Sequence, residues 1–214
     1  RSSPPDSYLL QLDIRKFFYS IDRTVLAAQI ARKIKDRRFV AVMLQFAEYG
    51  QPKGIPIGNL LSQLYALIYL NPLDHFIKRN LGVRLYCRYV DDFVIFGETR
   101  ATCVSHLAQI QAFIGAELGL SLSRHSLHKV KRGLNFVGFR TWCSTRFVRK
   151  HSLYTFTRSA KRGLLESVIS IIGHAKNTAS LRHLLTTLKA NHHDLFNCLP
   201  PRCRFSHHPH PAPA

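Results

Sequence analysis

The stretch Val83-Arg84-Leu85-Tyr86-Cys87-Arg88-Tyr89-Val90-Asp91-Asp92-Phe93-Val94-Ile95-Phe96-Gly97 sets two aspartates between two runs rich in β-branched and aromatic residues. Such runs read as two short strands, with the paired carboxylates at or beside the turn between them. Adjacent carboxylates repel one another and have no place in a core without a cation to neutralise them. The chain holds 12 Asp and Glu against 31 Lys and Arg, so two acids side by side on apolar strands point to a bound cation. Oxygen ligands of this kind suit a hard divalent ion, Mg²⁺ or Mn²⁺. An Asp-rich hairpin turn is the plain alternative for the pair taken alone, because Asp is a common turn residue.

A further carboxylate shifts that balance. Leu9-Leu10-Gln11-Leu12-Asp13-Ile14 is a second apolar strand that ends in an acid, followed by Arg15-Lys16-Phe17-Phe18-Tyr19-Ser20-Ile21-Asp22. Two strands that each deliver a carboxylate at one end can pair in a sheet and share metal ions between them. A two-metal site needs that geometry: one ion activates an attacking hydroxyl while the other steadies the leaving oxygens.

Four motifs occur in order: Leu12-Asp13-Ile14 followed by Phe17-Phe18, then Gly54-Ile55-Pro56-Ile57-Gly58-Asn59-Leu60-Leu61-Ser62-Gln63, then Tyr89-Val90-Asp91-Asp92, then Gly133-Leu134-Asn135-Phe136-Val137-Gly138-Phe139. In this order they resemble the successive palm motifs of reverse transcriptases. The resemblance covers about residues 8–188 and takes in a thumb-like segment, Arg146-Phe147-Val148-Arg149-Lys150-His151-Ser152-Leu153. Most bacterial and intron-type relatives have a Gln-Gly step in the second motif and close it on Ser-Pro. This chain has Ile57-Gly58 and closes on Ser62-Gln63, a variant that resembles the reverse transcriptases of diversity-generating retroelements.

The resemblance implies an α+β fold: a right-hand polymerase palm, built on a ferredoxin-like sheet with helices on one face, followed by a helical thumb, with the fingers largely missing. It implies an RNA-directed DNA polymerase, a nucleotidyltransferase that copies template RNA into cDNA and errs at template adenines, using two Mg²⁺ ions with Mn²⁺ as the substitute. Asp13, Asp91 and Asp92 match the catalytic, metal-binding carboxylates, and Ile14 beside Asp13 joins the metal set. Phe18 matches the position that crowds the sugar 2′ carbon and favours deoxynucleotides; Phe17 must then point the other way. Ile57 stands where most relatives place a glutamine against the incoming nucleotide, and Ile14, Gly58 and Gln63 complete the expected nucleotide contacts. Lys53, Tyr89, Phe136, Gly138, Arg140, Arg149 and Lys150 are the expected template-primer contacts. Relatives often carry a downstream lysine that protonates pyrophosphate. The matching segment here, Ser123-Arg124-His125-Ser126-Leu127-His128-Lys129, leaves both His125 and Lys129 open for that role. Expected partners are template RNA, the RNA:DNA hybrid, deoxynucleoside triphosphates and a small basic accessory variability protein. Intron, retron and phage-defence reverse transcriptases are the alternatives within the class, and a non-catalytic basic RNA-binding remnant is the alternative outside it. The Ile57-Gly58 and Ser62-Gln63 steps weigh against the former, and the intact Asp13, Asp91 and Asp92 against the latter.

Composition is consistent with this class. At 214 residues and 46% hydrophobic, the chain can bury a core for one compact domain or one and a half. A formal charge of +19 calls for a polyanionic partner and strongly salt-dependent binding. Residues 124–162 hold eleven Lys or Arg and no acid, with Phe136, Phe139, Trp142, Phe147, Tyr154 and Phe156 interleaved. Any one of those residues alone would fit a solvated basic face. The whole run reads as a track for a template and primer duplex, recognised through backbone and shape. No apolar run reaches the length of a spanning helix and no signal-peptide core is present, so no membrane partner is expected. Cys87, Cys103, Cys143, Cys198 and Cys203 are scattered, as free thiols in a reducing cytoplasm would be, and the resemblance implies a bacterial or phage-encoded cytoplasmic protein. Cys198 and Cys203 with the histidines after them match no familiar zinc spacing.

Along the chain, we expect a lead-in over residues 1–7, a palm over 8–156, a helical thumb over 157–199 and a disordered Pro/His-rich tail over 200–214. The first residue is Arg1, and the fingers that normally precede the Asp13 motif are expected to be absent. One or two helices should fill residues 23–47, broken near Lys35-Asp36-Arg37-Arg38. A Gly/Pro loop should span 50–58. A helix from about Asn59 to Lys78 should follow, its start offering free N–H groups to a phosphate or a base-pair edge. Further helices are expected over 101–118 and 180–188, with short strands within 120–148.

Overall fold

The computed structural model describes residues 7–48, 50–142 and 144–204. It divides into two compact units that meet in sequence at Lys129 and Val130. The first is organised around β1, Tyr8–Ile14, whose apolar residues make it the natural centre of a sheet. It pairs antiparallel with β3, Asp92–Gly97, on one side and with β4, Leu122–Lys129, on the other, while β2, Tyr86–Tyr89, lies outside β3. The order β2-β3-β1-β4, with helices joining β1 to β2 and β3 to β4, is the ferredoxin-like βαββαβ arrangement.

The connecting helices begin where the sequence supplies a side chain to cap them. After the short turn α1, Phe17–Ser20, Asp22 accepts from the Thr24 N–H to start α2, Arg23–Lys33. Asp36 accepts from Arg38 and Phe39 to start α3, Arg37–Gln45, so the expected break near residue 35 is a helix boundary. Asn59 caps α4, Leu60–His75, and Thr99 caps α5, Arg100–Leu118. Pro72 lies inside α4, and the helix passes at once into a π-helical turn, Phe76–Asn80, before the chain returns to the sheet.

Alternation along the strands decides which face these helices cover. Leu10, Leu12 and Ile14 of β1 and Phe93 and Ile95 of β3 are buried in one core with Leu26, Ile30, Tyr65, Tyr69, Ile110 and Ile114. Two buried tyrosines carry polar tips into that core, and both are satisfied. Tyr65 donates to the Met43 carbonyl; Tyr69 donates to the Leu118 carbonyl at 2.6 Å and accepts from the Asp22 N–H at 3.2 Å. Tyr69 thereby ties α4 to the end of α5 and to the start of α2.

The second unit holds a separate three-stranded antiparallel sheet: β5, Leu134–Phe136, β6, Phe139–Trp142, and β7, Thr145–Val148. Val137 and Gly138 form the two-residue turn between β5 and β6, both at positive φ (45° and 83°), the backbone a tight hairpin of this length favours. Five helices follow: α6, Lys150–Lys161; α7, Leu165–Ala175; α8, Ser180–Asn191; α9, His193–Asn197; and α10, Pro201–Arg204. Val148 of β7 shares a core with Phe156, Val168, Ile172, Leu184, Leu188 and Leu199. The compact division therefore falls earlier than the expected boundary between 156 and 157, because β7 packs with the helices after it. The first of those helices starts at Lys150 rather than near residue 157. Within the expected tail of 200–214, α10 is held by Arg204, whose Nε donates to the Leu199 carbonyl at 2.8 Å. Residues 1–6 of the lead-in and 205–214 of the tail lie outside the described residues. No helix among the described residues is long and apolar enough to cross a membrane.

Candidate active site

The acids lie on the face of the first sheet opposite the one that packs against the helices. Tyr89 pairs with Asp92, and Asp92 pairs with Asp13, so these three residues form one row across β2, β3 and β1. The row extends to β4, where Ser123 donates from Oγ to Asp13 Oδ2 and, at 3.2 Å, to the Asp13 carbonyl. The pairing of β1 with β4 shifts register between Leu12 and Ile14, at the position of Asp13 itself. Two residues back along β1, Gln11 shares the face of Asp13, and its Nε2 donates to both oxygens of Asp92, at 3.1 and 3.4 Å.

Asp91 occupies the two-residue turn between β2 and β3 together with Val90, whose φ of 56° is unusual for a β-branched residue. Both carbonyls of the turn are held. Arg88 Nη1 donates to the Val90 carbonyl at 2.9 Å, and the Ile14 N–H donates to the Asp91 carbonyl at 3.3 Å. The Ile14 side chain is buried in the core, so only its backbone can reach a ligand.

Burial pushes the Asp91 carboxyl above its ordinary range, and the negative charges of Asp13 and Asp92 push it the same way. Among the described residues neither Asp13 nor Asp91 has a Lys or Arg within ion-pair distance. The donor set is thus hard oxygen from adjacent strands, with an excess of negative charge at one end of the sheet. This chemistry fits a divalent cation. Among the described residues no three His, Cys, Asp or Glu stand together as a ready-made cage, so the three carboxylates share an end of the sheet without closing around a point.

The residues expected around a nucleotide lie on two segments that the backbone brings together. The Gly54 N–H donates to the Ile21 carbonyl at 2.8 Å and the Ile55 N–H to the Phe18 carbonyl at 2.9 Å. Gly54 has a φ of 95°, and a Cβ there would lie 3.1 Å from Tyr19 Cα and 3.2 Å from the Phe18 and Tyr19 carbonyl oxygens, an approach that glycine alone permits. Arg23 ties the same loop down through the Gly54 and Gln51 carbonyls. In this setting Phe17 is buried, Phe18 is half-buried, and Ile57, Gly58 and Gln63 are exposed, Ile57 at 59%. Lys53 stands 3.4 Å from Asp22 as an ion pair. Burial alone would raise the Asp22 carboxyl, but the Thr24 N–H and the Lys53 ammonium outweigh it and hold the group below its ordinary value.

The two candidates for a general acid are separated by register. Lys129 pairs with Tyr8 at the far end of β1, roughly 17 Å from Asp13 at about 3.4 Å per residue, and its ammonium lies 6.0 Å from the Tyr8 ring centroid. His125 pairs with Leu12 and falls on the face opposite Asp13.

The remaining template-primer candidates belong to the second unit. Phe136 ends β5 and Gly138 closes the following turn, where a Cβ would meet the His174 ring at 3.2 Å. Arg140 lies 4.7 Å over the Trp142 ring and donates to the Arg132 carbonyl. Arg149 precedes α6 with its Nε buried and unpartnered, and Lys150 opens that helix, exposed. Arg140, Trp142, Phe147 and Lys150 line a cavity of about 560 Å³.

Several supporting residues were not singled out by sequence reasoning. Gln11 had a signal, a lone polar residue two positions before Asp13 in an apolar strand. Ser123 and Asp74 had none. Asp74 Oδ1 accepts from Arg88 Nε at 2.8 Å and from the Tyr86 hydroxyl at 2.6 Å, and Asp74 Oδ2 accepts from Arg88 Nη2.

A ferredoxin-like sheet that presents carboxylates at one end of two neighbouring strands, with a glycine-bearing loop and a helix start nearby, defines a polymerase palm. The sequence matches the reverse transcriptase (RNA-dependent DNA polymerase) family over residues 1–141, and the chain belongs to that family. Protein YkfC of Escherichia coli (strain K12) is 22% identical over 190 residues, covering 69% of this chain and 48% of the relative. Apo telomerase from Candida tropicalis is similar in fold, with a TM-score of 0.58 and 13% identity over 91% of this chain and 44% of that one. The foamy viral protease-reverse transcriptase in complex with RNA/DNA hybrid gives a TM-score of 0.53 and 17% identity over 90% of this chain and 24% of that one. The chain thus spans about half the length of the curated relative and less of the structural ones.

Proposed function

We propose that this chain is the catalytic palm and adjoining part of an RNA-directed DNA polymerase that copies template RNA into cDNA. The observation that carries the reading is the register that sets Asp13 directly opposite Asp92, with Asp91 in the adjoining turn. Divalent metals are general to this family, and Mg²⁺ needs no closed protein cage, since it is commonly held by one or two carboxylates together with substrate phosphates. Asp13, Asp91 and the Ile14 backbone, with Asp92 beside them, would hold two such ions. When bound, the ions supply activation of the primer 3′-hydroxyl and neutralisation of charge on the departing pyrophosphate.

The chain's own residues bind and orient. Ser123 fixes the Asp13 carboxylate and Gln11 fixes that of Asp92, so both side chains enter the reaction already aimed. Phe18 presents a flat apolar wall against the sugar 2′ carbon and so favours deoxynucleotides. Ile57, Gly58 and Gln63 face the incoming base pair from the loop and the start of α4. Lys53 and Tyr89 would contact template and primer within the first unit, and Phe136, Gly138, Arg140, Arg149 and Lys150 would do so within the second. The partner is an RNA:DNA hybrid, in keeping with the hybrid carried by the foamy viral protein of the same fold.

The finer reading, a bacterial or phage-encoded cytoplasmic enzyme of the diversity-generating type with a basic accessory protein, rests on the Ile57-Gly58 and Ser62-Gln63 steps. An isoleucine gives contact area to the nucleotide but no directional hydrogen bond, so wrong pairs are rejected less well.

Primer extension on a defined RNA template with Mg²⁺ tests both levels, comparing the chain with Asp91→Asn and sequencing the products. Product that disappears in the variant, with errors concentrated at template adenines, supports the full reading. Even, low errors would point to an intron or retron enzyme. Salt-sensitive RNA binding without product from the wild type would overturn catalysis by this chain alone.

A further inference from the structure

The Val90-Asp91 turn is built from a residue type that resists its conformation. Val90 sits at φ 56°, and β-branched side chains are rare in the left-handed region. Its side chain packs against the first unit's core, which leaves the backbone to be held by other groups. The neighbouring arginine does this with one nitrogen while two others anchor it. Arg88 directs Nε and Nη2 at the two oxygens of Asp74 and turns Nη1 to the Val90 carbonyl, at 2.9 Å. Its side chain is 8% exposed and that of Asp74 29%.

Asp74 is a firm anchor. It lies in the last turn of α4, accepts the Tyr86 hydroxyl as well, and is followed by the π-helical turn Phe76–Asn80. Tyr86 in turn packs edge-on against Phe93 of the core at 6.2 Å. A planar fork that binds a carboxylate with one edge and a carbonyl with its remaining nitrogen is a geometry lysine cannot reproduce.

We infer that Arg88, locked by Asp74, is a positioning residue that holds the Val90-Asp91 turn in the conformation presenting Asp91 to the metal. The inference rests on the proposed role of Asp91 as a metal ligand. With its fork bound to Asp74 and its remaining nitrogen to the Val90 carbonyl, Arg88 acts through the turn backbone, as residues behind a metal ligand commonly do.

The test uses the full chain carrying Arg88→Lys, which keeps a cation beside Asp74 but not the fork, and separately Asp74→Asn, which keeps an acceptor of the same shape. Three quantities are read: Mn²⁺ affinity by electron paramagnetic resonance, hydrogen exchange of the amides in residues 89–92, and the split of kcat from nucleotide KM in primer extension. We expect Mn²⁺ binding weaker by about 10–100-fold, faster exchange confined to the turn, and a fall in kcat with KM little changed, partly restored by excess Mn²⁺. A folded variant with wild-type Mn²⁺ affinity and wild-type exchange at the turn overturns the inference. Loss of folding in both variants also overturns it, since the pair would then serve stability and not position. Wild-type Mn²⁺ binding that Asp91→Asn leaves untouched would instead sink the metal role of Asp91, and the exchange data would still decide whether Arg88 holds the turn.

Discussion

Alanine at Gly54 should loosen the loop that faces the nucleotide, by an amount the geometry sets. At φ 95° an L-residue gives up about 1–2 kcal/mol of backbone energy. The added Cβ would also press at 3.1–3.2 Å on Tyr19 Cα and on two carbonyl oxygens, all main-chain atoms that cannot swing aside. Relief requires the two segments to part by a few tenths of an ångström, which weakens the Gly54 to Ile21 and Ile55 to Phe18 hydrogen bonds, each worth about 1 kcal/mol. The total is about 2–3 kcal/mol, a fall of roughly 8–12 °C in melting temperature at about 4 °C per kcal/mol for a unit of this size. Gly58 is the internal control: its φ is 92°, but nothing lies within 4 Å of an added Cβ, so Gly58→Ala carries only the backbone part, about 1–2 kcal/mol. Thermal unfolding by circular dichroism measures both variants, and steady-state extension measures the nucleotide KM, which Gly54→Ala should raise. Equal melting temperatures for the two variants would refute the close approach of this loop to the Phe18 turn.

Other consequences are as direct. Because burial and like charge raise the Asp91 carboxyl, its ionised form disfavours the folded metal-free protein. Stability on this account is full below the unfolded value of about 3.9 and is lost as pH rises through the folded one. Asp91→Asn should therefore melt higher than the wild type at neutral pH without metal, the difference vanishing in acid, while primer extension is abolished. Ile57→Gln should lower misincorporation opposite template adenine, read by sequencing cDNA; an unchanged error spectrum would count against the nucleotide role of residue 57. Tyr69→Phe removes a 2.6 Å bond to the Leu118 carbonyl deep in the core and should cost about 1–3 kcal/mol in denaturant unfolding.

The sequence was most informative where its signals are local. Two apolar runs about a pair of acids are enough to announce a hairpin, and a capping Asn59 ahead of a long apolar stretch is enough to start α4. The strands after residue 130 illustrate the reverse. Short segments such as Leu134–Phe136 and Thr145–Val148 look alike whichever sheet they join, and only the packing of Val148 with Leu184 and Leu188, far along the chain, assigns them to the second unit. Register was equally hidden. Nothing in Ser123-Arg124-His125-Ser126-Leu127-His128-Lys129 reveals that Lys129 lies beside Tyr8 while Ser123 meets Asp13, because pairing is fixed by the neighbouring strand. Asp74 escaped for the same reason: its partners Tyr86 and Arg88 are 12 and 14 residues away, across a helix end and a loop.

The register of β1 also governs what variation the lineage of this chain can accept. Asp13 faces outward only because Leu12 and Ile14 face inward, and the strand is paired on both sides. A slip of β1 by one residue against β3 and β4 would turn the carboxylate into the core and a leucine onto the reaction surface, and no adjustment of side chains could undo it. Substitutions in this strand can be absorbed one at a time, whereas length changes can survive only in pairs or in the loops beyond it. Among distant members of the family, drift in residue identity should therefore coexist with a fixed residue count through β1.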